Sequence, residues 1–279
     1  MRIGFIYSVL LITSGFCYSG ESILGIDRTY RESCIRAVND PMYFNNFRSN
    51  NDYSHALELE ATQEFADYLT VNASEETKNK LTHFERLDQI GNPRTKFFLN
   101  AGKFSGTTLR YILVADQIKK LFTLPENPKV VEIGAGFGGQ CYILSNLISF
   151  SKYYIYDLPE VEALIDKVMN VLGVNDVITL PIDEIIPEKV DLFISNYAFS
   201  ECDRLSQLTY FENVIKNSDR GYVIYNQIAQ FYHLNSLSPD EFVTLLEVNG
   251  INPKMCSEPV STYTGNVLII WDKTSHINL

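Results

Sequence analysis

The run Lys129-Val-Val-Glu-Ile133 passes directly into Gly134-Ala-Gly136-Phe-Gly138-Gly139, and this junction limits the possible folds of the chain more than any other feature. Three β-branched residues among five predict a short buried strand. Glycines at alternate positions after it permit a tight turn, a close approach of backbone to a ligand, and close packing of the next helix on the strand. The helix that follows opens with unpaired N–H groups suited to ligand oxygens. A strand, a glycine turn and a helix in that order belong to an open α/β sheet, which binds ligands at the carboxyl ends of its strands.

The pattern repeats downstream. Apolar runs predict strands over 129–133, 153–156, 177–180, 190–195, 221–225, 254–257 and 266–271, with helices over 141–148, 161–172, 205–215 and 239–248. Gly173 and Gly250 stop two of those helices. The last two strands follow one another without a helix and predict an antiparallel pair. The fold class is therefore α/β, a Rossmann-like seven-stranded, mostly parallel sheet covered on both faces, with an antiparallel terminal strand. Residues 21–124 carry few strand signals and read as an N-terminal helical appendage, a cap or substrate region preceding a ligand-binding domain over 125–279. Within it, apolar spacing from His55 to Leu69 predicts one helical stretch. Ser105 or Thr107 caps a helix over 109–122, which Pro125 and Pro128 stop.

Composition narrows the function. Lys+Arg 23 against Asp+Glu 34 gives a net charge of −11, which repels phosphate backbones and excludes nucleic acid as the main partner. The 17 Tyr and 17 Phe exclude a disordered chain. Residues 1–20, with Arg2, a mostly apolar run from Ile3 to Phe16, and Ser19 and Gly20, have the form of an export signal; a retained buried helix or strand is the alternative. Localisation thus stays open between the secretory route and the cytoplasm. The run is too short for a stable membrane span. The five cysteines form no C-x-x-C pair and are too sparse for a disulfide framework, and no metal site is expected. The oligomeric state is not readable.

Glu132 lies two residues before the first glycine, and Asp157 ends the second strand. A carboxylate in the latter place can accept both hydrogen bonds of a ribose diol, or it can cap the helix that follows. A bare G-x-G-x-x-G turn also fits a dinucleotide. An NAD(P)-dependent oxidoreductase and a catalytically degenerate binding protein therefore stand as alternatives.

With these residues in view, the chain resembles the class I S-adenosylmethionine-dependent methyltransferases over about residues 129–272. The resemblance is carried by Glu132, Gly134, Gly136 and Gly138 in an E-x-G-x-G-x-G turn, and by Asp157. It is most similar to the sugar O-methyltransferase family, in the segments Ile90-Gly-Asn-Pro-Arg94, Ser105-Gly-Thr-Thr-Leu-Arg-Tyr111, Tyr156-Asp-Leu-Pro-Glu160 and Asp191-Leu-Phe-Ile-Ser-Asn-Tyr-Ala-Phe-Ser-Glu201. Gly106 stands where that family has proline. The resemblance implies methyl transfer from S-adenosyl-L-methionine to a hydroxyl of a sugar or glycan. It also implies a donor site of Glu132, Gly134, Ala135, Gly136, Gly138, Asp157 and Leu158, with Asp183 at the adenine amino group and Ser195 and Asn196 near the methionine end.

Such a transfer is an in-line displacement, in which alignment can supply up to about 7–11 kcal/mol. A sugar hydroxyl also calls for a base. Candidates lie on loops after the fourth and fifth strands. Glu201 is one, with a helix-start charge as its alternative role, and His233, which titrates in the useful range, is the other. Tyr197, Asn226 and Gln227 are candidates for the acceptor side. Arg94 and Arg110 are candidates for an acidic group on the acceptor or for structural ion pairs.

Overall fold

The computed structural model of the protein describes residues 21–186 and 189–274. The segment predicted as an export signal lies outside the described residues. Two short strands, β1 (Lys96–Phe98) and β2 (Gly102–Phe104), pair as an antiparallel hairpin. The main sheet comprises β3 (Lys129–Ile133), β4 (Lys152–Tyr156), β5 (Val177–Leu180), β6 (Val190–Asn196), β7 (Ser218–Tyr225), β8 (Lys254–Ser257) and β9 (Val267–Asp272). Its order is β5-β4-β3-β6-β7-β9-β8. Strands β3 to β7 run parallel, and β9 is antiparallel to both β7 and β8. The chain winds outward from β3 to β5 and then returns to β6, so the switch in strand order falls between β3 and β6, at the glycine turn.

The alternation of side chains along each strand divides the interior in two. Val130, Tyr153, Ile155, Leu192 and Ile194 face a core shared with the helices Arg28–Asn39, Gly106–Leu121, Gly139–Ser145 and Pro159–Leu172. Val131, Ile133, Phe193, Val223 and Trp271 face a second core with the helices Arg204–Asn213 and Pro239–Val248. Both faces are covered, which is why the strands read as apolar runs rather than alternating ones. All eight residues of β7 are buried. Trp271 is core, and it lies where any Cβ on Gly221 would come within 2.1 Å of its ring.

Two expectations for the N-terminal half need correction. The stretch from His55 to Leu69 is two helices, Asn51–Leu57 and Gln63–Asn72. Tertiary contact breaks it: Leu59 N donates to Thr107 Oγ1 at 2.9 Å, and Thr62 caps the second helix. The crossing backbone explains Gly106, whose Cβ would sit 2.4 Å from the Glu60 carbonyl oxygen. The hairpin β1–β2 is the other departure, and a positive φ of 104° at Gly102 opens its second strand. Ser105, not Thr107, caps the helix Gly106–Leu121.

Candidate functional site

A cleft of about 580 Å³ opens at the carboxyl ends of β3, β4, β5 and β6, a volume within the range of small-molecule sites. The glycine turn forms its floor. Gly134, Gly136 and Gly138 have φ of +72°, +59° and +87°. A Cβ at Gly134 would lie 2.0 Å from Ala198 Cβ, and one at Gly136 would lie 2.8 Å from Leu57 Cδ1. The turn therefore needs glycine for both its dihedrals and its neighbours.

Asp157 braces this turn. Its Oδ2 accepts from Ala135 N at 2.9 Å and Gly136 N at 3.3 Å, and its Oδ1 accepts from Leu158 N at 2.8 Å. The helix Pro159–Leu172 takes no side-chain cap, so the carboxylate serves the glycine turn instead. Burial pushes its carboxyl up to about 7, against the three N–H donors that favour the charged form. Leu158 lines the cleft beside it, and Asp183 stands exposed at the mouth on the loop after β5.

The other end is built around Arg110, Glu132 and Asn196. Glu132 is 1% exposed and accepts from Tyr153 Oη at 2.7 Å; burial pushes its carboxyl up to about 8. Arg110 is 6% exposed, with its guanidinium carbon 5.1 Å from the Tyr111 ring centroid and 5.0 Å from that of Tyr197. Among the described residues no ion pair involves it, and its buried Nε has no hydrogen-bond partner. Asn196 donates from Nδ2 to Gln140 Oε1 at 3.2 Å, and its buried Oδ1 is likewise unpartnered. A cation, a carboxyl and a free amide oxygen converging on one place suit a zwitterion, whose carboxylate would meet Arg110 and whose ammonium would meet Glu132 and Asn196.

A second buried network holds Arg110 in place. Asp88 accepts from Ser105 N at 2.6 Å and from the hydroxyls of Ser105 and Thr108, each at 2.7 Å. Arg48, fully buried, donates to Glu58 at 2.6 Å and to Ser105 Oγ at 3.0 Å. These bonds fix the first turn of the helix that carries Arg110. Tyr197 has a φ of +74° and a ψ of −39°, a conformation costly for an aromatic residue. Its hydroxyl donates to Glu258, which also accepts from Thr262 N at 3.2 Å and Asn266 Nδ2 at 2.9 Å.

Glu201 ends the turn Ala198–Glu201, lines the cleft, and accepts from Asn226 Nδ2 at 2.6 Å. Burial pushes its carboxyl up. Asn226 is itself buried and reaches the site through Glu201. The remaining candidates are not brought into the cleft. Ser195 Oγ donates to Ile133 O at 3.1 Å and accepts from Phe199 N at 3.0 Å, so it ties β6 to β3 behind the site. Ala135 contributes its N–H to Asp157, and Gly138 opens the next helix against Met169. Arg94, Gln227 and His233 are exposed and line no part of the cleft. His233 follows the turn Ile228–Tyr232 with a φ of +56°. Sequence reasoning did not single out Ser22, Leu57, Ser206 or Tyr210, which line the cleft from other elements. Tyr111 also lines the cleft, and its place next to Arg110 is a local signal for it.

No protein-family model matches the sequence, and no curated protein matches it. Several solved structures are similar. Geranyl diphosphate methyltransferase in complex with S-adenosylmethionine is 12% identical, with 78% of this chain and 98% of that chain covered and a TM-score of 0.48. Geranyl diphosphate C-methyltransferase from Streptomyces coelicolor is 13% identical, with 77% and 100% covered and a TM-score of 0.48. The mitomycin 7-O-methyltransferase MmcR is 14% identical, with 88% and 67% covered and a TM-score of 0.45.

Proposed function

We propose that the cleft binds S-adenosyl-L-methionine and that the protein is a methyltransferase acting on a hydroxyl of a sugar or glycan. The observation that carries the donor reading is the pairing, across one glycine turn, of Asp157 with the buried set Arg110, Glu132 and Asn196, in which Arg110 Nε and Asn196 Oδ1 have no hydrogen-bond partner among the described residues. The residues present fit an adenosyl amino acid: Asp157 would take the ribose diol, Asp183 the adenine amino group, Arg110 the carboxylate, and Glu132 with Asn196 Oδ1 the ammonium. When bound, the donor supplies a methyl group already activated by a sulfonium. The chain's own contribution is alignment, exclusion of water, and a place for the acceptor proton at Glu201. The acceptor class rests on the resemblance of the four quoted segments to the sugar O-methyltransferase family, with Tyr197, Glu201 and Asn226 proposed for the acceptor side.

Two observations favour this reading over a nicotinamide dinucleotide. The N–H groups of Ala135 and Gly136, which a pyrophosphate would need, already serve the Asp157 carboxylate. Strand β9 is inserted antiparallel between β7 and β8, whereas the dinucleotide fold keeps its sixth strand next to its fifth. Calorimetric titration with S-adenosylhomocysteine and with NAD tests the choice. Binding of the first and not the second is expected; the reverse would overturn the proposal. Transfer of labelled methyl groups to a panel of sugars and glycans tests the acceptor.

Arg110→Ala should weaken S-adenosylhomocysteine binding by about 10- to 100-fold, the range of one lost hydrogen bond to a charged group. It should leave 5′-methylthioadenosine, which lacks the amino-acid end, within about twofold. Equal losses for the two ligands would remove the carboxylate from Arg110.

A pH dependence follows from Glu132 and Asp157, whose carboxyls sit near 8 and 7 in the fold against ordinary values of 4.5 and 3.8. Between these limits the folded chain holds protons that the unfolded chain has released. Their contribution to stability is complete below the ordinary values and is lost as pH rises through 7 to 8. The melting temperature of the free protein should therefore fall between pH 5 and pH 8.5. A ligand ammonium prefers ionised Glu132, so affinity for S-adenosylhomocysteine should rise over the same interval. Calorimetry at matched ionic strength measures both; parallel trends would contradict the assignment.

A further inference from the structure

We infer that Ser206 reads the base of the bound nucleoside and helps set the site's preference for adenine. The inference rests on the donor reading above and adds a residue to it. Ser206 is 2% exposed and lines the cleft, yet its Oγ has no hydrogen-bond partner among the described residues. Its backbone N–H is accounted for by Asp203 Oδ1 at 2.7 Å, so the hydroxyl is not needed to start its helix. A buried hydroxyl without a partner is destabilising, and a polar ligand edge would relieve it.

The surroundings place this hydroxyl at the base end. Ser206 lies in the helix Arg204–Asn213, one turn before Tyr210, whose ring meets Tyr156 of β4 edge-on at 5.6 Å. Tyr156 Oη in turn donates to Glu184 O at 2.8 Å, on the same loop as Asp183. The helix after β6 and the loop after β5 therefore converge over the tip of β4, where Asp157 and Leu158 also line the cleft. With the ribose on Asp157 and the amino-acid end toward Arg110, the base points into this corner. Asp183, a carboxylate, can only accept and suits an exocyclic amino group; Ser206 can donate and suits a ring nitrogen.

The test is Ser206→Ala, titrated with S-adenosylhomocysteine and its 1-deaza, 3-deaza and 7-deaza counterparts. Wild-type protein should bind one deaza compound about 5- to 10-fold more weakly than the parent. Ser206→Ala should lose the same factor for the parent and nothing further for that compound. Because the variant removes an unpaired hydroxyl, the melting temperature of the free protein should stay the same or rise, while the shift produced by ligand shrinks. Parent affinity equal to wild type would overturn the inference. So would an equal loss for all four ligands with a lowered melting temperature, which marks a structural role. Failure of wild-type protein to bind S-adenosylhomocysteine would remove the donor reading itself, and this inference with it.

Discussion

Replacing Glu201 with glutamine should lower kcat for methyl transfer by about 10²–10⁴-fold, the usual contribution of a positioned base. The amide keeps the size of the side chain and an acceptor oxygen for Asn226 Nδ2, so donor affinity should be unchanged within about twofold. The wild-type rate should climb with pH as the carboxyl, raised by burial, ionises. The variant should lose that limb. His233→Ala is the matched control: the side chain is exposed and outside the cleft, so its rate should equal wild type. A Glu201→Gln enzyme with an undiminished rate and an unchanged pH profile would take the base away from this carboxylate.

Asp157→Ala should weaken S-adenosylhomocysteine binding by about 100- to 10,000-fold. Two hydrogen bonds from the ribose to a charged group, each worth about 1.5–3 kcal/mol, set this scale. The substitution also strips Ala135 N and Gly136 N of their acceptor, so the glycine turn loosens and the free protein loses stability. Asp157→Asn separates the two effects, since an amide oxygen in the place of Oδ2 still serves both of those N–H groups and only Leu158 N loses its acceptor. The asparagine variant should recover most of the melting temperature and little of the affinity. Full recovery of affinity would make Asp157 a structural brace and no more.

Much of this was legible before the fold was known, because the determinants are local. The strand, glycine turn and helix at 129–145 follow from residue types in sequence, and so do the strands β4 and β6. The antiparallel pairing of the last two strands was readable from the missing helix between them. The insertion of β9 between β7 and β8 was not, because it depends on a register with Tyr222 and Val223 far back in the chain. Non-local contacts likewise decided the break at residues 58–62, where Thr107 captures Leu59. His233 is a residue type suited to a general base, but the turn before it leads its side chain out to solvent. Ser206 and Tyr210 carried no signal at all, since only the return of their helix over β4 brings them to the cleft.

A crystal structure of the protein with S-adenosylhomocysteine bears most directly on this reading. The nucleoside should lie at the tips of β3 and β4, with both ribose hydroxyls within hydrogen-bonding distance of Asp157 and the amino-acid end between Arg110 and Glu132. Ligand density elsewhere on the molecule, or a ribose turned away from Asp157, would contradict it.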